Sequence, residues 1–116
     1  MKDNVVKEKS LEFAVRIVNL YKFLVNEQKE FVMSKQILRS GTSIGANIRE
    51  AEQAQSRADF INKLNIALKE ANETEYWLEL LIRTEYITRE QYESINNDST
   101  EINKLLISII KTTKNN

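Results

Sequence analysis

Oxygens and amines are what this chain can offer for chemistry, because it contains neither histidine nor cysteine. A Ser-His-Asp relay, a thiol nucleophile, a Glu-x-x-His di-iron site and nearly all zinc sites need one or the other. Gly41 and Gly45 are its two glycines. Four apart, they cannot build a phosphate-cradling G-x-x-x-x-G-K loop or a dinucleotide G-x-G-x-x-G turn. Two readings remain for Asn47, Glu50, Glu73 and Glu75. As chemistry, they would form an acid/base pair or a hard-ion site for Mg²⁺ or Ca²⁺, which take oxygen ligands. As structure, they would join Arg39 and Ser43 in a buried polar network that fixes how helices register. With no imidazole to hand a proton on, the structural reading is favoured. No catalytic residue, metal or cofactor is expected, and no enzyme activity. Glu75 stands inside an apolar stripe, between Ala71 and Leu78. A carboxylate there needs a partner or a proton, and Asn47 and Arg39 are the expected partners.

The elements that must position these residues are helical. The chain has no proline, and strand-rich folds need turn residues that are missing here. Apolar residues recur at three- and four-residue steps. The first helix is expected over about 11–26, with Ser10 as its N-cap. A turn over 27–33 leads to a second helix over 34–55. Ser56 should cap a third helix over 58–83, and Thr88 with Gln91 forms a capping box for a fourth over 89–113. Asn96, Asn97, Asp98 and Ser99 are poor helix formers. The stripe Tyr92, Ile95, Ser99, Ile102, Leu106, Ile109 keeps its spacing through them, so one helix with a weak middle is expected. Short connections make successive helices antiparallel. The 116 residues should therefore form a single all-α domain, an up-down-up-down four-helix bundle.

The helix faces carry more apolar surface than such a bundle needs. The second helix has a clean stripe of Ile37, Gly41, Ile44, Ile48 and Ala51, and its small residues allow close approach by a neighbour. The first helix is apolar over an arc of roughly 220°, where a core-facing stripe of about 100° suffices. On the third, Ile66, Trp77 and Leu80 fall away from the stripe of Phe60, Leu64, Ala67, Leu68, Ala71, Leu78 and Ile82. Phe13, Ile17, Leu20 and Leu24, with Ile66, Trp77 and Leu80, are the expected subunit interface of a homo-oligomer.

Seventeen basic residues balance seventeen acidic ones. Such a balance gives no global field toward nucleic acid or anionic membranes. The distribution is uneven: residues 1–69 hold 12 Lys/Arg against 8 Asp/Glu, and residues 70–116 hold 5 against 9. One half can therefore attract the other. Lys22, Lys29, Lys35, Arg39, Arg49, Arg57 and Lys63 are the candidate contacts to RNA or DNA. The first ten residues, MKDNVVKEKS, lack the apolar core of a signal peptide, and no stretch has the length of an uncharged membrane span. A cytoplasmic protein without a membrane partner is expected.

One stretch is similar to a known family. Gln36 and Arg39, then Ser43, Ile44, Asn47, Ile48 and Glu50, then Phe60, Leu64, Ile66 and Ala67, then Glu73 and Glu75 follow in the order seen in proteins encoded in intervening sequences of bacterial 23S ribosomal RNA genes. That family is related to the accessory variability determinant of diversity-generating retroelements. Gly45 stands where many members have Pro, and Ala51 where many have Gly. The resemblance implies an antiparallel four-helix bundle, a ring-shaped homopentamer and no enzyme. It also implies a scaffold or binding role beside nucleic acid or a nucleic-acid-processing protein; the alternative is an interaction oligomer with no nucleic-acid role.

Overall fold

The computed structural model describes residues 2–116, with side chains from Asn4 onward. Among the described residues there are four α-helices and no strand: α1 (Lys2–Asn26), α2 (Met33–Ala51), α3 (Arg57–Arg83) and α4 (Arg89–Asn115). Each helix packs on the next, and α4 packs back on α1; the diagonal pairs α1–α3 and α2–α4 keep their backbones apart. The body is elongated, 47 × 22 × 19 Å.

Helix α1 begins at Lys2, about one turn before Val6 and well ahead of the expected start at Leu11. Ser10 is no N-cap. It is 1 % exposed inside the helix, and its hydroxyl donates back to the Lys7 carbonyl at 2.9 Å. The buried stripe Val6, Ser10, Phe13, Ile17, Leu20, Leu24 runs straight through it. A serine among charged residues looks like a cap; here it is the small residue that lies against Gly45.

Helix α2 ends at Ala51, four residues before the expected end. The amides of Glu52, Gln53 and Ala54 turn back onto Arg49, Glu50 and Ala51 at 3.0–3.2 Å. The sequence there is helix-compatible, so the turn serves the return of α3. Ser56 caps α3, accepting from the Asp59 amide at 3.1 Å. Thr88 and Gln91 close a reciprocal capping box at α4. Helix α4 continues unbroken through Asn96–Ser99, held by Ile95, Ser99 and Ile102, all buried.

The core takes Ile37, Ile44 and Ile48 from α2, Leu64, Ala67, Ala71, Leu78 and Leu81 from α3, and Ile95, Ile102, Leu106 and Ile109 from α4. From α1 it takes Phe13, Ile17, Leu20 and Leu24, at 0–6 % exposure. These four are therefore not available to a subunit contact. The apolar arc of α1 is wider than a core stripe, and these four residues form its inward side. Leu11 and Val15, at 43 % and 54 % exposed, are what the arc leaves outside.

Candidate functional site

The polar residues do not converge on one network. They occupy separate seams between helices.

In the α2–α3 seam, Arg39 reaches across to two carboxylates of α3, Glu70 at 3.1 Å and Glu73 at 2.5 Å. Glu73 also accepts from the indole N–H of Trp77, 3.1 Å away. The Trp77 bond, then the Arg39 bond, hold the Glu73 carboxyl below the ordinary carboxylate range. Beneath this surface cluster, Thr74 Oγ1 and Ser40 Oγ are hydrogen-bonded at 2.9 Å, both fully buried. Ser43 and Asn47 bond within α2, to the carbonyls of Arg39 and Ser43. Glu50 pairs with Lys63 at 3.3 Å.

Glu75 belongs to another seam. Its Oε2 accepts from Asn103 at 2.7 Å and Ser99 at 3.2 Å, both on α4. The expected partners, Asn47 and Arg39, lie on α2 and are engaged elsewhere. At 100° per residue, Glu75 sits on the side of the α3 stripe away from Glu73. That flank faces α4, so the two glutamates cannot share a partner.

The one buried carboxylate among the described residues, Glu30, has no place in the sequence reading. Glu30, 7 % exposed, accepts from the amides of Val32, Met33 and Ser34 at 3.1, 2.9 and 2.7 Å. Burial opposes its charge, but the three amides outweigh it and hold its pKa below the ordinary value. It thereby caps α2, whose N-cap residue, Val32, offers no side-chain bond. The signal available was an acid four residues ahead of a serine at a helix start.

The arrangement is structural chemistry. No three of His, Cys, Asp and Glu among the described residues converge where a metal could sit, and no described helix is long and apolar enough to cross a membrane.

The candidate nucleic-acid contacts separate as well. Arg39 and Lys63 are engaged in ion pairs. Lys22, Lys29 and Lys35 gather where α1 leads into α2, while Arg49 and Arg57 lie about 20 Å away, at the far end of α2 and the start of α3. Of the expected interface residues on α3, Ile66, Trp77 and Leu80 are half-buried. Trp77 packs on the core, and Tyr76, edge-on to it at 5.0 Å, is the more exposed ring at 57 %.

Residues 2–108 match the family model described as 23S rRNA-intervening sequence protein. The chain is also similar to a solved structure, 99 % identical, with a TM-score of 0.95, covering 96 % of this chain and 99 % of that one. It is a protein with unknown function from the S23 ribosomal protein family, from Bacteroides thetaiotaomicron VPI-5482. Comparison with curated proteins gives no match.

Proposed function

The chain belongs to the 23S rRNA-intervening sequence protein family, and from that premise we propose that it is a non-enzymatic, homo-oligomeric binding module of the cytoplasm. In this reading the helices run up-down-up-down. Pairs such as Lys7–Glu52, at the start of α1 and the end of α2, support that order. Copies join in a closed ring, and the number five comes from the family resemblance alone.

The observation that carries the reading is the outer face of α1. Leu11 and Val15, one turn apart, stand 43 % and 54 % exposed. Tyr76 on α3, 57 % exposed, offers a second apolar surface. A head-to-tail contact between unlike faces closes into a ring when its rotation allows. A ring would repeat Lys22, Lys29 and Lys35 once per copy, and summed phosphate contacts make nucleic-acid binding strong and salt-dependent.

A specific observation favours the second reading, a protein-interaction oligomer with no nucleic-acid role. Arg39 and Lys63 are neutralised within the chain, and total charge is zero.

Light scattering tests assembly: a stable 13.5 kDa monomer at micromolar concentration overturns it, and Leu11→Glu with Val15→Glu should dissolve the oligomer without unfolding the bundle. A mobility shift with single-stranded RNA at two salt concentrations separates the two readings.

A further inference from the structure

Away from the 84–88 turn, the α3–α4 face is basic in a chain without net charge. No acidic side chain follows Glu101 in the sequence, while Lys104, Lys111 and Lys114 do. Lys104 and Lys111 share one side of α4, two turns and about 10 Å apart along its axis. The bond from Asn103 to Glu75 fixes the register of the two helices. Lys69, less than two turns before Glu75 on α3, therefore comes level with the stretch between those two lysines. All four lysines are exposed, and none forms an ion pair among the described residues. The acids nearby are engaged: Glu70 with Arg39, Glu101 with Lys9 at 2.7 Å, and the Asn116 oxygen with Arg57. Glu75 is half-buried at the edge of the face and turned into the seam toward Ser99 and Asn103. Four lysines less that one carboxylate leave the face at +3. Asn65 and Asn72, both exposed, stand one turn to either side of Lys69. No aromatic ring lies among these residues; the nearest exposed one, Tyr76, stands alone a turn past Asn72.

We infer that this face binds duplex RNA, the lysines on phosphates and Asn65 and Asn72 on 2′-hydroxyls. Unpaired lysines with no free acid among them select a polyanion. Proteins that grip single strands stack successive bases on aromatic rings, and one tyrosine at the edge cannot supply that. A-form duplexes are instead recognised through phosphates and the 2′-hydroxyls of a wide, shallow minor groove. An asparagine amide suits a hydroxyl, because it can both donate to it and accept from it. A lipid surface calls for a broad apolar face, and Ile107, 55 % exposed between Lys104 and Lys111, is the one large apolar side chain exposed here. The inference rests on the nucleic-acid reading above and moves the contact from Lys22, Lys29 and Lys35 to α3 and α4.

Fluorescence anisotropy of the full chain with a labelled RNA duplex of about 16 base pairs tests this, beside a DNA duplex of the same sequence and one RNA strand alone. The RNA duplex should bind several-fold tighter than either. Its log affinity should fall against log salt with a slope of about 3, near 0.9 for each neutralised phosphate. Lys104→Gln with Lys111→Gln should lower that slope by about 2 and weaken binding at least ~tenfold at low salt, with an unchanged circular dichroism spectrum. Asn65→Ala with Asn72→Ala should erase the preference for RNA over DNA and keep the slope. Lys22→Gln with Lys29→Gln should change neither. No loss from the Lys104 and Lys111 pair, an equal loss from the Lys22 and Lys29 pair, tighter binding of the single strand, or no preference over DNA would each overturn the inference and leave the nucleic-acid reading standing. No binding of any of the three probes, or binding only to phosphatidylserine vesicles, would overturn both.

Discussion

The two helical hairpins, α1–α2 and α3–α4, solve the same packing problem by opposite means. In the first, steric fit sets the register. Gly41 faces Ile17 so closely that an added Cβ would lie 2.7 Å from Ile17 Cγ1 and 2.8 Å from Cγ2. In the second, hydrogen bonds set it. Glu75 on α3 draws in Ser99 and Asn103 from α4, and the Oδ1 atoms of Asn96 and Asn103 are buried without a protein partner. The α1–α2 backbones consequently run close over more of their length than those of α3 and α4. The connections differ too. The first hairpin turns through Lys29 at φ 54° and lets the Glu30 carboxylate cap the returning helix. The second turns through Glu85 at φ 65° and hands α4 to a capping box. Shape demands a small residue at one point. A polar seam demands that every member stay.

The largest effect should come from breaking the shape rule. Gly41→Val places methyl groups where Ile17, fully buried, cannot yield. Overpacking costs about 1–3 kcal/mol, against a smaller gain in helix propensity. We expect a loss near the top of that range in urea denaturation. A loss under ~0.5 kcal/mol would mean that the α1–α2 seam can slide.

Next is the polar rule. Glu75→Ala strands the buried Ser99 and the half-buried Asn103, and leaving these groups unmet should cost about 1–3 kcal/mol. Glu79→Ala, on an exposed acid whose ion pair with Arg83 lies at the surface, should change stability by less than ~0.5 kcal/mol. If Glu75→Leu combined with Asn103→Leu restores most of the loss, the seam contributes specificity more than stability. Equal, small effects at Glu75 and Glu79 would remove the contrast between the hairpins.

Glu30→Gln probes the first connection, with an expected cost of about 1 kcal/mol. The folded carboxyl titrates below its unfolded value of about 4.3. Its contribution is therefore fully present above that unfolded value and is lost as pH falls through the lower folded one. The variant should show a shallower acid limb just below pH 4.3, and an unchanged limb would remove Glu30 from the capping role.

These effects also mark what the sequence could and could not disclose. Four helices, the Ser56 cap, the Thr88–Gln91 box and the α2 stripe follow from local pattern, which needs only residues within a turn of one another. The start of α1 was misplaced because Ser10 has the chemistry of a cap, and only its neighbour Gly45, 35 positions away, explains a serine inside a helix. Glu75's partners were sought on α2 because periodicity gives the angle of a residue on its helix but not which neighbour occupies that angle. Thr74 and Ser40 look like ordinary surface hydroxyls until two helices bury them against each other. The interface reading failed on α1 for the same reason: an apolar arc announces surplus, and packing alone decides which part is surplus.

In the second connection, Glu85 occupies the position where a helix that ends in a left-handed residue usually has glycine. The Glu85 amide bonds to Ile82 O at 3.0 Å and the Tyr86 amide to Leu81 O at 2.9 Å, the paired closure of such an end. A residue with a Cβ pays roughly 1 kcal/mol for that conformation. Glu85→Gly should therefore stabilise the fold by up to ~1 kcal/mol in thermal unfolding, less the entropy that glycine adds to the unfolded chain.

The smallest effect, and the sharpest check on the first hairpin, is at Gly45. It lies one helical turn from Gly41 on the same helix, and both have ordinary helical backbone. A Cβ there would meet Ser10 Oγ at 3.3 Å and the Ser10 carbonyl oxygen at 3.4 Å, against 2.7 Å to Ile17 at Gly41. The Ser10 hydroxyl is light and can shift by a few tenths of an ångström while keeping its bond to Lys7. Alanine in a helix interior is favoured over glycine by ~1 kcal/mol, which offsets that shift. Gly45→Ala should therefore leave stability within ~0.5 kcal/mol of the parent in urea denaturation, while Gly41→Ala lowers it by about 1 kcal/mol or more. If the two alanine variants behave alike, close approach is spread along the whole α1–α2 seam. If only Gly41→Ala fails, the approach is a single point where α1 crosses α2 at Ile17, and the rest of that seam tolerates an added methyl group.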